Sequence, residues 1–210
     1  MLKVLIADDH AMIRVGLKQV LLKAFSGAVI GEAQTAEEAL EQIRKKDWDL
    51  AVMDITMPGR SGLDILQDIQ LARPKLPVLI MSMHGEDQFA LRVLKAGAAG
   101  FISKQSAAEV LVVAIRKIMD GGRYVSASVS EKMVSDLGKA IPGLPHEALS
   151  DRELQVLCMF AMGKTNKQLA QELSLSVKTI STYRARILEK MNMKSNAELT
   201  RYAIKSELVE

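Results

Sequence analysis

The chain has 210 residues, room for two small domains, and its 49% hydrophobic and 25% charged content is that of an ordinary globular protein. No apolar run approaches the roughly 20 residues that cross a bilayer, and no basic-then-apolar leader precedes the first strand-like run. The single cysteine, Cys158, excludes an intrachain disulfide framework and a multi-cysteine metal site. These features imply a cytoplasmic protein with no membrane attachment. The net charge of +3 is unevenly placed: residues 1–147 carry 18 basic and 18 acidic side chains, residues 148–210 carry 10 and 7.

Residues 1–121 alternate short apolar runs with longer amphipathic ones. The spacing predicts strands at 3–7, 28–32, 50–54, 77–82 and 100–103, and helices near 11–25, 36–46, 62–72, 86–96 and 106–120. Five βα repeats imply a doubly wound, five-stranded parallel sheet with helices on both faces. Gly121-Gly122 stops the fifth helix. Residues 122–147, punctuated by Gly138, Pro142, Gly143 and Pro145, read as a linker with a short helix near 129–137. From residue 148 to 210 the pattern is purely helical, with helices near 151–162, 166–173, 177–191 and 196–206.

Open α/β sheets carry their chemistry beyond the carboxyl ends of the strands. Asp8 and Asp9 follow the first strand, Asp54 ends the third, Ser82 ends the fourth and Lys104 follows the fifth. Each alone has a plain structural reading: Asp8 or Asp9 as a helix cap, Asp54 as turn chemistry, Lys104 as a solvated cation. Together they form a pocket suited to receiving a phosphoryl group. Three carboxylates repel, which a hard divalent cation such as Mg²⁺ relieves. Lys104 and Ser82 would meet oxygens of the transferred group, with Asp54 as nucleophile.

These residues stand in phrases that resemble the receiver domains of two-component response regulators: Leu5-Ile6-Ala7-Asp8-Asp9-His10, Asp54-Ile55-Thr56-Met57-Pro58-Gly59 with Gly62-Leu63, Ser82, Lys95-Ala96-Gly97-Ala98 and Gly100-Phe101-Ile102-Ser103-Lys104. The resemblance implies a flavodoxin-like strand order 2-1-3-4-5. It implies Asp54 as phosphoacceptor for a sensor histidine kinase. It also implies Mg²⁺ held by Asp9, Asp54, the Thr56 backbone carbonyl and, through water, Asp8. Ser82 and Phe101 would be the switch, Ser82 moving toward the phosphoryl group and Phe101 turning inward. Thr56 and His84 stand where the lifetime of the acyl phosphate is set. Gln105 replaces the proline that usually follows the lysine, so the geometry of the Lys104–Gln105 bond stays open.

The C-terminal segment has helix-turn-helix grammar. Ser150 with Glu153 forms a capping box, Gly163 ends the first helix, Thr165 or Asn166 caps the second, and Ser176 caps the third. On the third helix Ile180, Tyr183, Ile187 and Met191 share the face to be buried. Around the remainder lie Lys178, Thr179, Ser181, Thr182, Arg184, Ala185, Arg186 and Lys190, a set suited to base edges and phosphates of double-stranded DNA. Leu149-Ser150-Asp151-Arg152-Glu153, Asn166-Lys167-Gln168-Leu169-Ala170 and Ser176-Val177-Lys178-Thr179-Ile180 resemble the LuxR-type helix-turn-helix of NarL/FixJ-family regulators. This resemblance implies a four-helix domain and a homodimer in the active state, with the last helix at the dimer contact.

The expectation is a transcriptional regulator, not an enzyme, switched by phosphorylation. Three rival readings lack a feature they need or leave one unused. A Mg²⁺-dependent aspartyl phosphatase needs a second acid two residues after Asp54, where Thr56 stands. A dinucleotide-binding sheet needs a glycine-rich turn where Asp8-Asp9-His10 stands. A pseudo-receiver working without phosphate would not need the full acid set.

Overall fold

The computed structural model describes residues 1–57, 62–82, 86–127, 129–131, 144–206 and 208–209. Pro58, Gly59, His84, residues 132–137 of the expected linker helix, and Gly138, Pro142 and Gly143 lie outside the described residues. The chain forms two compact units, Met1–Asp136 and Leu137–Glu210.

The first unit is built on β1 (Lys3–Ala7), β2 (Val29–Ala33), β3 (Leu50–Asp54), β4 (Val78–Ser82) and β5 (Gly100–Ser103). All are parallel, in the order β2-β1-β3-β4-β5. The helices are α1 (Ala11–Ala24), α2 (Ala36–Lys45), α3 (Gly62–Ala72), α4 (Glu86–Lys95) and α5 (Ala107–Met119). Every strand side chain of β3 and β4 is buried, as expected of a sheet covered on both faces. Alternation sends Val4, Ile6, Leu50, Val52, Leu79 and Met81 into one core with α1 and α5. Leu5, Ala51, Met53 and Ile80 face the other way and are equally inaccessible. The same alternation ends at the strand tips, where polar side chains take over.

Helix boundaries follow local chemistry. Thr35 caps α2 by accepting the Glu38 amide, and Glu37 and Glu38 lie in its first turn, where the helix dipole favours negative charge. For α1 the cap is His10, whose side chain makes no capping bond. Neither Asp8 nor Asp9 is therefore the N-cap of α1, though Asp8 Oδ1 accepts the amide of His10, which is. Gly121 and Gly163 adopt φ of +83° and +82° just beyond two helix ends, a conformation costly for any residue with a Cβ. Past Gly122 the chain returns to the sheet: Tyr124 accepts from the Phe101 amide at 3.0 Å and donates to Ala99 at 3.0 Å. Residues 129–131 are helical.

The second unit opens with a 3-10 turn, Pro145–Ala148, whose buried His146 meets the Tyr202 hydroxyl at 2.7 Å. Its helices are α6 (Asp151–Ala161), α7 (Asn166–Glu172), α8 (Val177–Lys190) and α9 (Asn196–Lys205). Capping boxes start α6 (Ser150 with Glu153) and α7 (Thr165 with Gln168), and Ser176 and Ser195 cap α8 and α9. Such caps contribute about 1 kcal/mol each, which matters for helices this short. Residues 152–160 of α6 are all buried, because α8 and α9 pack on α6 and α7 packs on α8. The buried Arg152 guanidinium donates to the Leu173 carbonyl at 3.2 Å and to Gln155 at 2.7 Å, satisfying the end of α7 from inside.

Candidate functional site: an acidic pocket and a basic helix

The parallel register brings the tips of β1, β3, β4 and β5 to one edge. Asp8 follows Ala7, whose partner across the ladder is Met53, and Asp54 pairs with Met81. Asp8 and Asp54 are 0% and 1% exposed, and the Lys104 side chain 3%. Lys104 Nζ lies 2.7 Å from Oδ2 of Asp54 and 2.7 Å from Oδ2 of Asp8. The Asp54 contact is a hydrogen bond; the direction of the Asp8 contact leaves that oxygen without one. The Lys104 amide donates to the Ser82 carbonyl at 2.8 Å, which fixes the loop after β5 against the end of β4. Ser82 itself is buried.

Burial raises Asp54 above the ordinary carboxylate range, and the neighbouring Asp8 charge adds to this against the opposing effects of Lys104 and the Thr56 amide. Burial alone would lower Lys104, but Asp54 and Asp8 outweigh it and hold the ammonium above its usual value. One cation thus serves two buried carboxylates, with Asp9 beside them. At the 4.8 Å that bounds the separations within this cluster, two unit charges repel by about 3 kcal/mol at an effective dielectric of 20. Asp8 Oδ2 and Asp9 Oδ1 are buried oxygens without a hydrogen-bond donor. An all-oxygen carboxylate set with excess negative charge and unsatisfied oxygens fits a hard divalent cation such as Mg²⁺.

Both sequence readings of Asp54 hold at once: its Oδ1 accepts the Thr56 amide at 2.9 Å, a turn contact, while Oδ2 faces Lys104. The Lys104–Gln105 bond is trans, as are all peptide bonds among the described residues. Phe101 is only 1% exposed. Its ring already lies inside the unit, so the inward turn implied by the resemblance has no outward starting position here.

Four residues that sequence reasoning left without a role join this edge: Arg14, Lys18, Glu32 and His10. Arg14 donates from Nη1 to the Asp8 backbone carbonyl at 2.7 Å, with its Nε 3.6 Å from Glu32 at the end of β2. Lys18 meets the same Glu32 at 2.8 Å, and together these hold the turn after β1. The signal was a cation inside the apolar stripe of α1. His10 places Nδ1 2.7 Å from Asp9 Oδ1 and 3.2 Å from Asp8 Oδ1; its place next to the acid pair was the available hint.

In the second unit α8 buries Ile180, Ile187 and Met191, while Tyr183 is half-buried. Lys178, Ser181, Thr182, Ala185 and Arg186 are exposed. The Ser181 and Thr182 hydroxyls donate back to the Val177 and Lys178 carbonyls at 3.0 and 3.1 Å. Thr179, half-buried, meets the Ser176 cap at 2.8 Å. Two of the expected contact residues are engaged within the protein instead. Arg184 Nε donates to Asn196 Oδ1 and ties α8 to α9, and Lys190 Nζ meets Glu153 Oε2 at 2.6 Å.

Comparison with known proteins agrees with this division. Residues 4–116, more than half of the chain, match the response regulator receiver domain, and residues 147–203 match the luxR family of bacterial regulatory proteins. The response regulator UvrY of Escherichia coli (strain K12) is 34% identical over 209 residues, covering 99% of this chain and 96% of that one. The chain belongs to the NarL/FixJ family of response regulators.

The response regulator GacA of Pseudomonas protegens is likewise 34% identical to this regulator, over 100% of this chain and 99% of its own. Among solved structures, the RcsB response regulator of Salmonella typhimurium matches with a TM-score of 0.70 at 25% identity, covering 99% of this chain and 98% of that one. An RcsB–DNA complex matches with a TM-score of 0.59 at 25% identity over 99% of both chains. The family is one of transcription regulators that bind DNA rather than of classical enzymes. No helix among the described residues is long and apolar enough to cross a membrane.

Proposed function

We propose that this regulator accepts a phosphoryl group on Asp54 from a sensor histidine kinase and, once modified, binds double-stranded DNA as a homodimer through α8. The observation that carries the reading is the single Lys104 ammonium held 2.7 Å from both Asp54 and Asp8 at the tips of adjacent strands. Asp54 Oδ2 attacks phosphorus, the bond to the donor breaks, and an acyl phosphate forms. Lys104 turns from the carboxylates toward the new phosphoryl oxygens, and Ser82 donates a hydrogen bond to another. Bound Mg²⁺, held by Asp9, Asp54, the Thr56 carbonyl and Asp8 through water, would supply positive charge for the same oxygens.

Losing the Lys104 contact with Asp54 frees the loop after β5, which the Lys104 amide ties to Ser82. The added charge thereby biases the α4–β5–α5 surface, with Phe101 packed beneath it. Residues 1–121 act as the receiver, 122–147 join the two parts, and 148–210 bind DNA. Lys178, Thr179, Ser181, Thr182, Ala185 and Arg186 face the major groove or its phosphates, while Arg184 and Lys190 stiffen the helix that presents them. The RcsB–DNA complex is that protein's own, and supports the reading by its matching fold. A cytoplasmic location follows from these partners.

The test is phosphotransfer from a small acyl-phosphate donor with Mg²⁺, comparing the parent with Asp54→Ala, followed by DNA titration at several salt concentrations. Phosphate uptake by the parent alone, with DNA affinity falling linearly in log salt, is the expected result. Equal uptake by Asp54→Ala removes the assigned nucleophile.

A further inference from the structure

We propose that the cavity between the C-terminal ends of α2 and α3 binds a small aromatic carboxylate, at the edge of the sheet opposite the acidic pocket.

The cavity has a volume of about 430 Å³, within the range of small-molecule sites. Ile43, Trp48 and Leu76 form its walls, and Lys46, Arg73 and Lys75 stand around them. Trp48 lies just before β3, and Asp54 ends that strand. The five residues of β3, about 16 Å of extended chain, therefore separate this site from the acidic pocket.

The aromatic wall is held from two sides. The Trp48 indole donates from Nε1 to the Gln42 carbonyl at 3.3 Å. Its six-membered ring lies against β2 at Gly31, where a Cβ would collide with Cη2. Glycine there permits a close approach that any other residue would block. A flat ring entering the cavity meets an aromatic surface already in place, and such ring pairs attract beyond the area they bury.

The charges select an anion. A helix C-terminus ordinarily repels one, because its last carbonyls are unpaired. Those of α2 are covered: the Lys46 amide donates to Gln42 at 3.0 Å, and Arg73 donates from Nε to Ile43 at 3.2 Å and from Nη2 to Arg44 at 3.4 Å. Asp47 stands 3.1 Å from Arg73 Nη1, but its side chain is 83% exposed, so water weakens that pair. Lys46 and Lys75 are exposed and make no ion pair or side-chain hydrogen bond among the described residues. Three cations thus border the cavity against one acid. A mostly apolar wall rimmed by cations fits an apolar ring bearing a single carboxylate. A nucleotide would bring a polar sugar against the same wall and lose its hydration there.

The experiment uses the full chain. Phenylbutyrate, its uncharged amide and adenosine monophosphate are each titrated by calorimetry and by the emission of Trp48, the one tryptophan in the chain. The parent is expected to bind phenylbutyrate with a dissociation constant below about 1 mM. It should hold the acid at least about tenfold more tightly than the amide or the nucleotide, with Trp48 emission saturating in step with the heat. Lys46→Ala combined with Lys75→Ala should weaken phenylbutyrate about tenfold and leave the amide within about twofold. Ala72→Phe, which fills the cavity from an exposed position, should abolish both. The proposal is overturned by an absence of saturable binding, by heat without a change in Trp48 emission, by equal affinity for acid and amide, or by unchanged affinity in the lysine variant. Tighter binding of the nucleotide overturns the assigned ligand class.

Discussion

Lys190 Nζ lies 2.6 Å from Glu153 Oε2, joining the last turn of α8 to the first turn of α6. Glu153 is 4% exposed, and the same oxygen also accepts the Ser150 amide at 2.7 Å. The lysine that looks from sequence like a phosphate contact therefore completes a buried capping box. Lys190→Ala should cost the C-terminal unit about 1–2 kcal/mol, because it leaves a buried carboxylate short of a partner. It should leave the salt dependence of DNA binding unchanged. Lys178→Ala should do the reverse, lowering the slope of log K against log salt by about 1 with little effect on stability. Denaturant unfolding and salt titrations distinguish the two, and a matching loss of slope in Lys190→Ala would make it a phosphate contact after all.

The same pair predicts an acid sensitivity. Burial alone would raise Glu153, but Lys190 and the Ser150 cap outweigh it and hold the carboxyl below its usual 4.5. A carboxyl with a depressed folded pKa stabilises the fold fully above its unfolded value and loses that contribution as pH falls through the folded one. The pair's stabilisation should persist at neutral pH, begin to fall below about pH 4.5 and be gone only below the depressed folded value. Melting curves of the parent and Glu153→Gln between about pH 3 and pH 7 should converge toward the acid end.

Asp54 behaves with the opposite sign. Its folded pKa is raised, chiefly by burial, so its ionised form opposes folding. The penalty is absent below the unfolded value of 3.8, grows as pH rises and is complete above the raised folded value. Asp54→Asn should therefore abolish phosphate uptake yet raise the melting temperature of the receiver at pH 7. Mg²⁺ at 100 times its dissociation constant should stabilise the parent by about 2.7 kcal/mol, and the variant by less. An unchanged or lowered melting temperature in the variant would contradict the electrostatic account of the pocket.

Lys104→Ala removes the cation shared by Asp8 and Asp54. Two buried carboxylates are then left facing each other, and stability should fall by about 3 kcal/mol or more, with Mg²⁺ restoring part of it. Phosphate uptake should drop by about 10²–10³, the usual cost of losing one charged group at a transferring centre. Single-turnover uptake from an acyl-phosphate donor at saturating Mg²⁺ separates this kinetic loss from the loss of fold.

Much of the architecture was legible because it depends on local periodicity. Apolar runs of strand length alternate with amphipathic runs of helix length, and the observed β1, β3 and β5 have the expected bounds. β2 and β4 start one residue later, where Ala28 and Pro77 contribute only a turn amide and a carbonyl. The caps of α6, α7 and α8 were equally readable, since a capping box is a contact across three residues. The three acids, Ser82 and Lys104 were found by a topological rule about strand tips, and parallel pairing with short connections carries them to one edge.

What the sequence determined by itself was the list of chemical groups at the strand tips and the order of the elements, because both are written in patterns a few residues long. What only the tertiary structure decided was how charges are shared among residues far apart in the chain. Lys104 divides itself between Asp8 and Asp54, Arg14 and Glu32 fasten the turn that carries Asp8, and Lys190 reaches Glu153. A cation's partner is whichever carboxylate the packed elements bring within about 3 Å at low dielectric, and that distance has no signature in sequence spacing.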